Sequence, residues 1–204
     1  MTVRAVIKGC GHYLPKRIVE NSEFEQTLDT SDEWISSRSG IRRRHFASQD
    51  ETTSNMATFA AKKALEDAKL LADDIDAIIL ATSTSDLTFP SAATMVQAKL
   101  GMTKGFAYDV QAVCAGFVFA LANANALIIS GQAERVLVIG SETFSKLMDW
   151  QDRSTCVLFG DGAGAVILSA ESGNGDKSDR GILASDLNSD CLLYTSPSPR
   201  DVEE

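Results

Sequence analysis

One junction limits what this chain can become. A buried strand, Phe106 to Val110, passes through Gln111-Ala112-Val113-Cys114 directly into a long apolar helix, Ala115 to Ile129, closed by Gly131. A strand apolar on both faces has to be covered on both, and a helix with almost no charge has to be packed. Two further apolar runs, Asp76 to Thr82 and Arg135 to Ile139, read as strands of the same kind, separated by helical patterns. Strands alternating with helices imply a parallel or mixed sheet covered by helices, an α/β chain. The 204 residues fit one domain or two small ones, and 44% hydrophobic content is ample for a core.

The junction also places a thiol. The first N–H groups of a helix lack internal partners and carry the positive end of the macrodipole, which favours a thiolate over a thiol at Cys114. The same N–H groups can hold an oxyanion, and Gly116 leaves room for an acyl group or a close backbone approach. The alternative is an inert cysteine buried as a small apolar residue. In open α/β sheets ligands lie beyond the carboxyl ends of the strands, where Cys114 stands.

Before the junction, Val3 to Gly9 reads as a first strand and Glu23 to Leu28 as a short helix. Ser22 with Glu25, and Thr30 with Glu33, have capping-box spacing, the second ahead of a helical turn from Glu33 to Ser39 ended by Gly40. Arg38 and Arg42-Arg43-Arg44 concentrate positive charge. Such a run is either a solvated face or a phosphate clamp, and Trp34, one turn before Arg38, could stack on a base. Ser54 or Thr53 caps a helix from Asn55 to Leu70, with Met56, Ala60, Ala64 and Ala68 as its core stripe. Pro90 can start a helix that ends at Leu100, and Phe89 is either a hydrophobic staple or part of a pocket wall. Gly140-Ser141-Glu142 leaves the end of the Arg135 strand. The glycine-rich Phe159 to Leu168 precedes a strand rather than opening a helix, so close packing explains it better than a dinucleotide fingerprint does. Gly181 to Leu187 reads as one more strand.

Several classes are excluded by composition. A net charge of -9 argues against nucleic acid, and no apolar run approaches membrane-spanning length. The N-terminus enters a strand without a signal peptide, which points to the cytoplasm. Cys10, Cys114, Cys156 and Cys191 form no CxxC pair, so neither a zinc site nor a disulfide framework is indicated. The histidines are His12 and His45.

Thr30-Ser31-Asp32-Glu33-Trp34-Ile35, Ser39-Gly40-Ile41-Arg42, Phe89-Pro90-Ser91-Ala92, Val113-Cys114-Ala115-Gly116-Phe117 and Phe159-Gly160-Asp161-Gly162-Ala163-Gly164-Ala165 together resemble β-ketoacyl-acyl carrier protein synthase III, from about Val3 to Asp190. The resemblance implies a thiolase-like fold of two similar αβ halves, of which this truncated chain is the first, and a homodimer. Residues 1–170 would form the half bearing the cysteine and 171–190 the start of the connection. Residues 191–204, without periodicity and holding Pro197 and Pro199, resemble a non-native tail.

The resemblance also implies the chemistry. Cys114 takes an acyl group from acyl-coenzyme A, preferably acetyl, and the acyl-enzyme condenses with malonyl-acyl carrier protein with loss of carbon dioxide, starting fatty acid synthesis. Trp34 would stack on the coenzyme A adenine with Thr30, Arg38 and Arg153 beside it, and Phe89 would reach the partner subunit's acyl pocket. No cofactor is implied beyond the thioester substrate. The family's catalytic histidine and asparagine lie in the second half, and His12 and His45 do not match that histidine. Related alternatives are a polyketide starter synthase, a 3-hydroxy-3-methylglutaryl-coenzyme A synthase, or a coenzyme A-binding, dimerising remnant without turnover.

Overall fold

The computed structural model describes residues 2–189. Its strands are β1 (Thr2–Tyr13), β2 (Arg17–Glu20), β3 (Arg43–Phe46), β4 (Ala77–Ala81), β5 (Phe106–Val110), β6 (Arg135–Thr143) and β7 (Asp161–Gly173). The helices are α1 (Asn21–Phe24), α2 (Asp32–Ser39), α3 (Thr53–Ala68), α4 (Ala92–Leu100) and α5 (Gly116–Ile129). Five strands form one mixed sheet in the order β1-β7-β6-β4-β5, with β4 parallel to both β5 and β6 and the β7 pairings antiparallel. β2 and β3 make a separate antiparallel ribbon.

Period-two alternation divides the central strands between two cores. Ile78 and Leu80 of β4 face α3 and α4, together with Leu137, Ile139 and Ile167. Ala77, Ile79 and Ala81 face α5, together with Val136, Val138 and Leu168. Each fully buried branched side chain contributes about 1.5–3 kcal/mol, so the central strands hold the layers together. Met56, Ala60 and Ala64 are fully buried as the stripe predicts, and the small residues let α3 lie directly on β1. A Cβ at Gly11 would stand 2.2 Å from the Ala60 carbonyl oxygen, so the helix backbone occupies the space a side chain would need.

A smaller core of Val19, Phe24, Ile35, Phe46, Cys156 and Val157 joins the β2–β3 ribbon to α1, α2 and the segment before β7, and Trp34 packs against it. Arg44 is buried within it, donating to Asn21 Oδ1 at 2.7 Å and to the Val157 carbonyl at 2.8 Å, with its guanidinium 4.7 Å from the Phe24 ring centroid. The arginine run therefore divides: Arg44 is a core strut, while Arg42 and Arg43 are exposed.

Local chemistry moves several boundaries. The first helix starts earlier, at Asn21, because the capping box is Glu20 with Glu23, and Glu25 instead accepts from the Asp32 N–H at 2.7 Å. Ser31, not Thr30, caps α2 by accepting from the Trp34 N–H. Thr52, one residue before the predicted Thr53 or Ser54, caps α3. Pro90 lies outside α4, whose cap is Ser91. Gly140-Ser141-Glu142 remains in β6, since β7 pairs with it as far as Thr143. No strand forms at Gly181 to Leu187, where the Ile182 N–H reaches only the Ala5 carbonyl. The predicted tail at 191–204 lies outside the described residues.

Candidate active site

β5 ends at Val110, and a single 3-10 turn, Val113–Ala115, leads into α5. Val113 has φ +47°, a left-handed conformation that a β-branched residue rarely adopts and that costs on the order of 1–3 kcal/mol. Cys114 follows it and is exposed, which sets aside the reading of a buried, inert residue. The turn uses the Ala115 and Gly116 N–H groups internally, on the Ala112 and Val113 carbonyls, so neither is free to hold an oxyanion. A Cβ on Gly116 would lie 3.3 Å from the Ala81 Cβ, so this glycine permits close approach of α5 to β4.

Cys114 opens onto a cavity of about 490 Å³ whose wall includes Leu14, Val113, Phe117, Glu142, Phe144 and Phe159. Phe144 and Phe159 stack with centroids 5.0 Å apart. The glycine-rich segment contributes Gly160, Gly162 and Gly164 to the same wall; a Cβ would meet Arg44 Cβ at 3.0 Å at Gly160 and Leu14 Cδ2 at 3.1 Å at Gly162, so these two glycines permit close packing, while Gly164 faces open space. The cavity is predominantly apolar.

The other described cysteines differ from Cys114. Cys156 is fully buried; burial pushes its thiol up, and Asp152 adds to the effect. Cys10 is exposed on β1 and does not line the cavity.

Three of the residues singled out for a nucleotide tail come together. The Arg38 guanidinium lies 4.6 Å and that of Arg153 5.1 Å from the Trp34 ring centroid, and Arg153 also donates to the Asp29 carbonyl. Thr30 adjoins them in sequence, with its Oγ1 buried and without a partner. The segment that supplies Arg153 runs on to Phe159 and Gly160, linking the Trp34 cluster to the Cys114 cavity. Phe89 is 81% exposed at the tip of the loop between β4 and α4, so it is not a staple.

Sequence reasoning missed three carboxylates that fix the surroundings. Asp109, at the end of β5, accepts from the Ala92 and Ala93 N–H groups at 2.8 and 2.7 Å and anchors the start of α4. Glu142 accepts from the Ser83 N–H at 2.8 Å and from the Thr82 and Thr84 hydroxyls. Asp86 accepts from Thr52 and Ser54 at the start of α3. Of these, only Asp109 carried a sequence signal, a charged residue ending an apolar strand one turn from the cysteine.

Residues 108–191 match the family model for 3-oxoacyl-[acyl-carrier-protein] synthase III. The chain is 76% identical to beta-ketoacyl-[acyl-carrier-protein] synthase III of Ruegeria sp. (strain TM1040) over 190 residues, 93% of this chain and 59% of that protein. The fold superposes on the crystal structure of 3-oxoacyl-[acyl-carrier-protein] synthase III from Aquifex aeolicus VF5 with a TM-score of 0.81 at 50% identity, covering 83% of this chain and 55% of that one. A priming beta-ketosynthase from the R1128 polyketide pathway matches with a TM-score of 0.80 at 36% identity, covering 84% of this chain and 52% of that one. By sequence and by its thiolase-like fold, this chain is similar to the β-ketoacyl-[acyl-carrier-protein] synthase III proteins, and it spans 59% of the length of the Ruegeria protein.

Proposed function

We propose that this chain carries the acyl-accepting part of a cytoplasmic β-ketoacyl-acyl carrier protein synthase III, with Cys114 as its nucleophile. The observation that carries the reading is an exposed cysteine, preceded by a left-handed valine, at the mouth of an apolar cavity beyond the end of a parallel strand. The Cys114 thiolate attacks the thioester carbonyl of acetyl-coenzyme A; the new sulfur–carbon bond forms as the coenzyme A sulfur leaves as a thiolate and takes up a proton. Trp34 with Arg38 and Arg153 suits the adenine and phosphates, since guanidinium forks match phosphate oxygens and an indole offers a stacking face.

Decarboxylative condensation with malonyl-acyl carrier protein completes the proposed reaction, and its histidine and asparagine belong to sequence outside this chain. Neither His12 nor His45 lines the Cys114 cavity, and His45 Nδ1 sits 2.6 Å from the Pro15 carbonyl oxygen. A homodimer is supported by β5, an edge strand with Phe106 exposed and stacked beside Tyr108 at 6.4 Å, because an unpaired edge accepts a strand from a second copy. Phe89 would then reach the partner's acyl pocket.

Intact mass spectrometry after incubation with acetyl-coenzyme A tests the first half-reaction. The expected result is a gain of one acetyl group, absent in Cys114→Ala; acylation that persists in the variant would refute the assignment. The similarity to the priming β-ketosynthase keeps a polyketide starter synthase as the second reading, which predicts faster acylation by longer acyl groups than by acetyl.

A further inference from the structure

The loop from Thr82 to Ser91 is buried at its base and exposed at its tip, where Leu87, Thr88, Phe89 and Pro90 stand free. Its base is held at unusual density. Glu142 takes the Ser83 N–H and the Thr82 and Thr84 hydroxyls, while the Thr84 hydroxyl accepts from the Thr143 N–H at 2.8 Å and the Thr84 carbonyl accepts from Thr53 Oγ1 at 2.5 Å.

The second anchor is Asp86. Its Oδ1 accepts from the Ser54 N–H at 2.8 Å, and its Oδ2 accepts from Thr52 Oγ1 at 2.7 Å and Ser54 Oγ at 2.5 Å. Ser54 Oγ in turn accepts from Lys99 Nζ of α4 at 2.5 Å, so a cation backs the carboxylate from the far side. Burial alone would raise the Asp86 carboxyl, but these donors hold it below the usual carboxylate range. A carboxylate at the N-terminus of α3 also faces the positive end of that helix.

Of the two anchors, Glu142 lines the Cys114 cavity and Asp86 does not. Together they turn a polar loop into a rigid arm with an aromatic residue at its end. We propose that Asp86 is a specificity-positioning residue, which fixes the arm so that Phe89 presents a pre-set stop to the starter acyl chain. The inference rests on the proposed role of Phe89 and adds a residue that acts through it. A rigid stop discriminates between acyl lengths more sharply than a mobile one, because a loose arm can retreat from a longer chain.

Two measurements on the full chain test this. Hydrogen exchange reads the arm itself: in Asp86→Ala the amides from Ser83 to Phe89 should exchange at least about tenfold faster, while those of β4 and β6 remain protected, and Asp86→Asn, which keeps one acceptor oxygen, should recover part of the protection. Unchanged exchange in the arm overturns the proposal. Competition between acetyl- and hexanoyl-coenzyme A for Cys114, read by intact mass, gives selectivity: Asp86→Ala should accept acetyl at close to the parental rate and lose several-fold of the discrimination against hexanoyl. Phe89→Ala separates the layers. If it shifts selectivity and Asp86→Ala does not, the positioning role is wrong; if it shifts nothing, the role of Phe89 is wrong and the positioning inference falls with it.

Discussion

Arg44 offers a direct test of how the smaller core beside the β2–β3 ribbon is held. It is 6% exposed, its fork reaches Asn21 Oδ1 and the Val157 carbonyl, and its charge lies over Phe24. Hydrogen bonds from a charged donor contribute about 1.5–3 kcal/mol each, and a desolvated cation–π contact about 2 kcal/mol. Opposing them is the burial of a guanidinium, which pushes the Arg44 pKa down against the pull of Glu20 and Glu23. Arg44→Met keeps the apolar stem, removes the charge and strands two buried acceptors. The net loss is about 2–3 kcal/mol, less than the sum of the contacts because the desolvation penalty is relieved as well. For a chain of this size each kcal/mol moves Tm by about 2–4 °C, giving a fall of roughly 4–12 °C. Trp34 and Trp150 are the two tryptophans of the chain, and both adjoin this core, Trp150 through Phe24 and Phe46, so intrinsic fluorescence follows the unfolding locally. Arg44→Lys should fall between, since an ammonium cannot bridge two separated acceptors as the fork does. A methionine variant that melts within about 1 °C of the parent would refute the idea that the Arg44 fork, rather than apolar packing, fastens the ribbon to the segment leading to Phe159.

Further outcomes follow from the same contacts. Burial would raise the Glu51 carboxyl, but donors on Ser48, Tyr13 and Lys16 hold it at about 2. Its folded value lies below its unfolded one, so the stabilisation is complete above pH 4.5 and lost as pH falls toward 2; the advantage of the parent over Glu51→Gln in urea melts, on the order of 1–3 kcal/mol, should shrink across that window. A constant difference from pH 6 to pH 2 would contradict it. Gly11→Val should lower the urea midpoint by at least 2 kcal/mol equivalent, roughly the upper range for overpacking, because α3 must move off β1; an unchanged midpoint would show that the helix yields freely. Iodoacetamide at neutral pH should label Cys114 in the folded protein and Cys156 only after denaturation, as read by peptide mapping.

The parts legible from sequence were those governed by one-dimensional pattern. The strand at Phe106 to Val110 is found with its predicted bounds, but as the edge of the sheet it is only half-buried, with Phe106 exposed, rather than buried on both faces; the stripe of Met56, Ala60 and Ala64 faces the sheet, because burial along one side of a helix leaves a periodic trace. Caps were placed one or two residues away from their observed positions. Runs such as Thr52-Thr53-Ser54 and Thr30-Ser31 offer several competent side chains, and backbone geometry set by the tertiary fold selects among them. Gly181 to Leu187 has strand-like composition and meets the edge strand β1 only through the Ile182 N–H on the Ala5 carbonyl, while Gly181 to Asp186 run beside α5, so no ladder forms.

The same distinction accounts for the site. Cys114 and the Trp34–Arg38 pair were visible because each is a local motif: a thiol between strand and helix, and an aromatic residue one helical turn from a guanidinium. Arg153 reaches Trp34 from more than a hundred positions away, and only its resemblance to a family marked it. Glu142 and Asp86 carried no comparable trace, and Asp109 only that of a charge near the end of an apolar strand, because each acts on a loop or helix start brought near by the sheet order. Asp109 makes the point most sharply. It stands five residues before the cysteine, yet its carboxylate anchors the helix that follows the Phe89 arm, so one strand end fixes the arm on one side and leads to Cys114 on the other. Asp109→Ala would free two N–H groups at the positive end of α4 and remove a charge-assisted anchor, a loss of about 1–3 kcal/mol. Faster hydrogen exchange should then extend from Ala92 and Ala93 into the arm, as well as toward Cys114. Exchange confined to the first turn of α4 would show that the strand end does not couple the arm to Cys114.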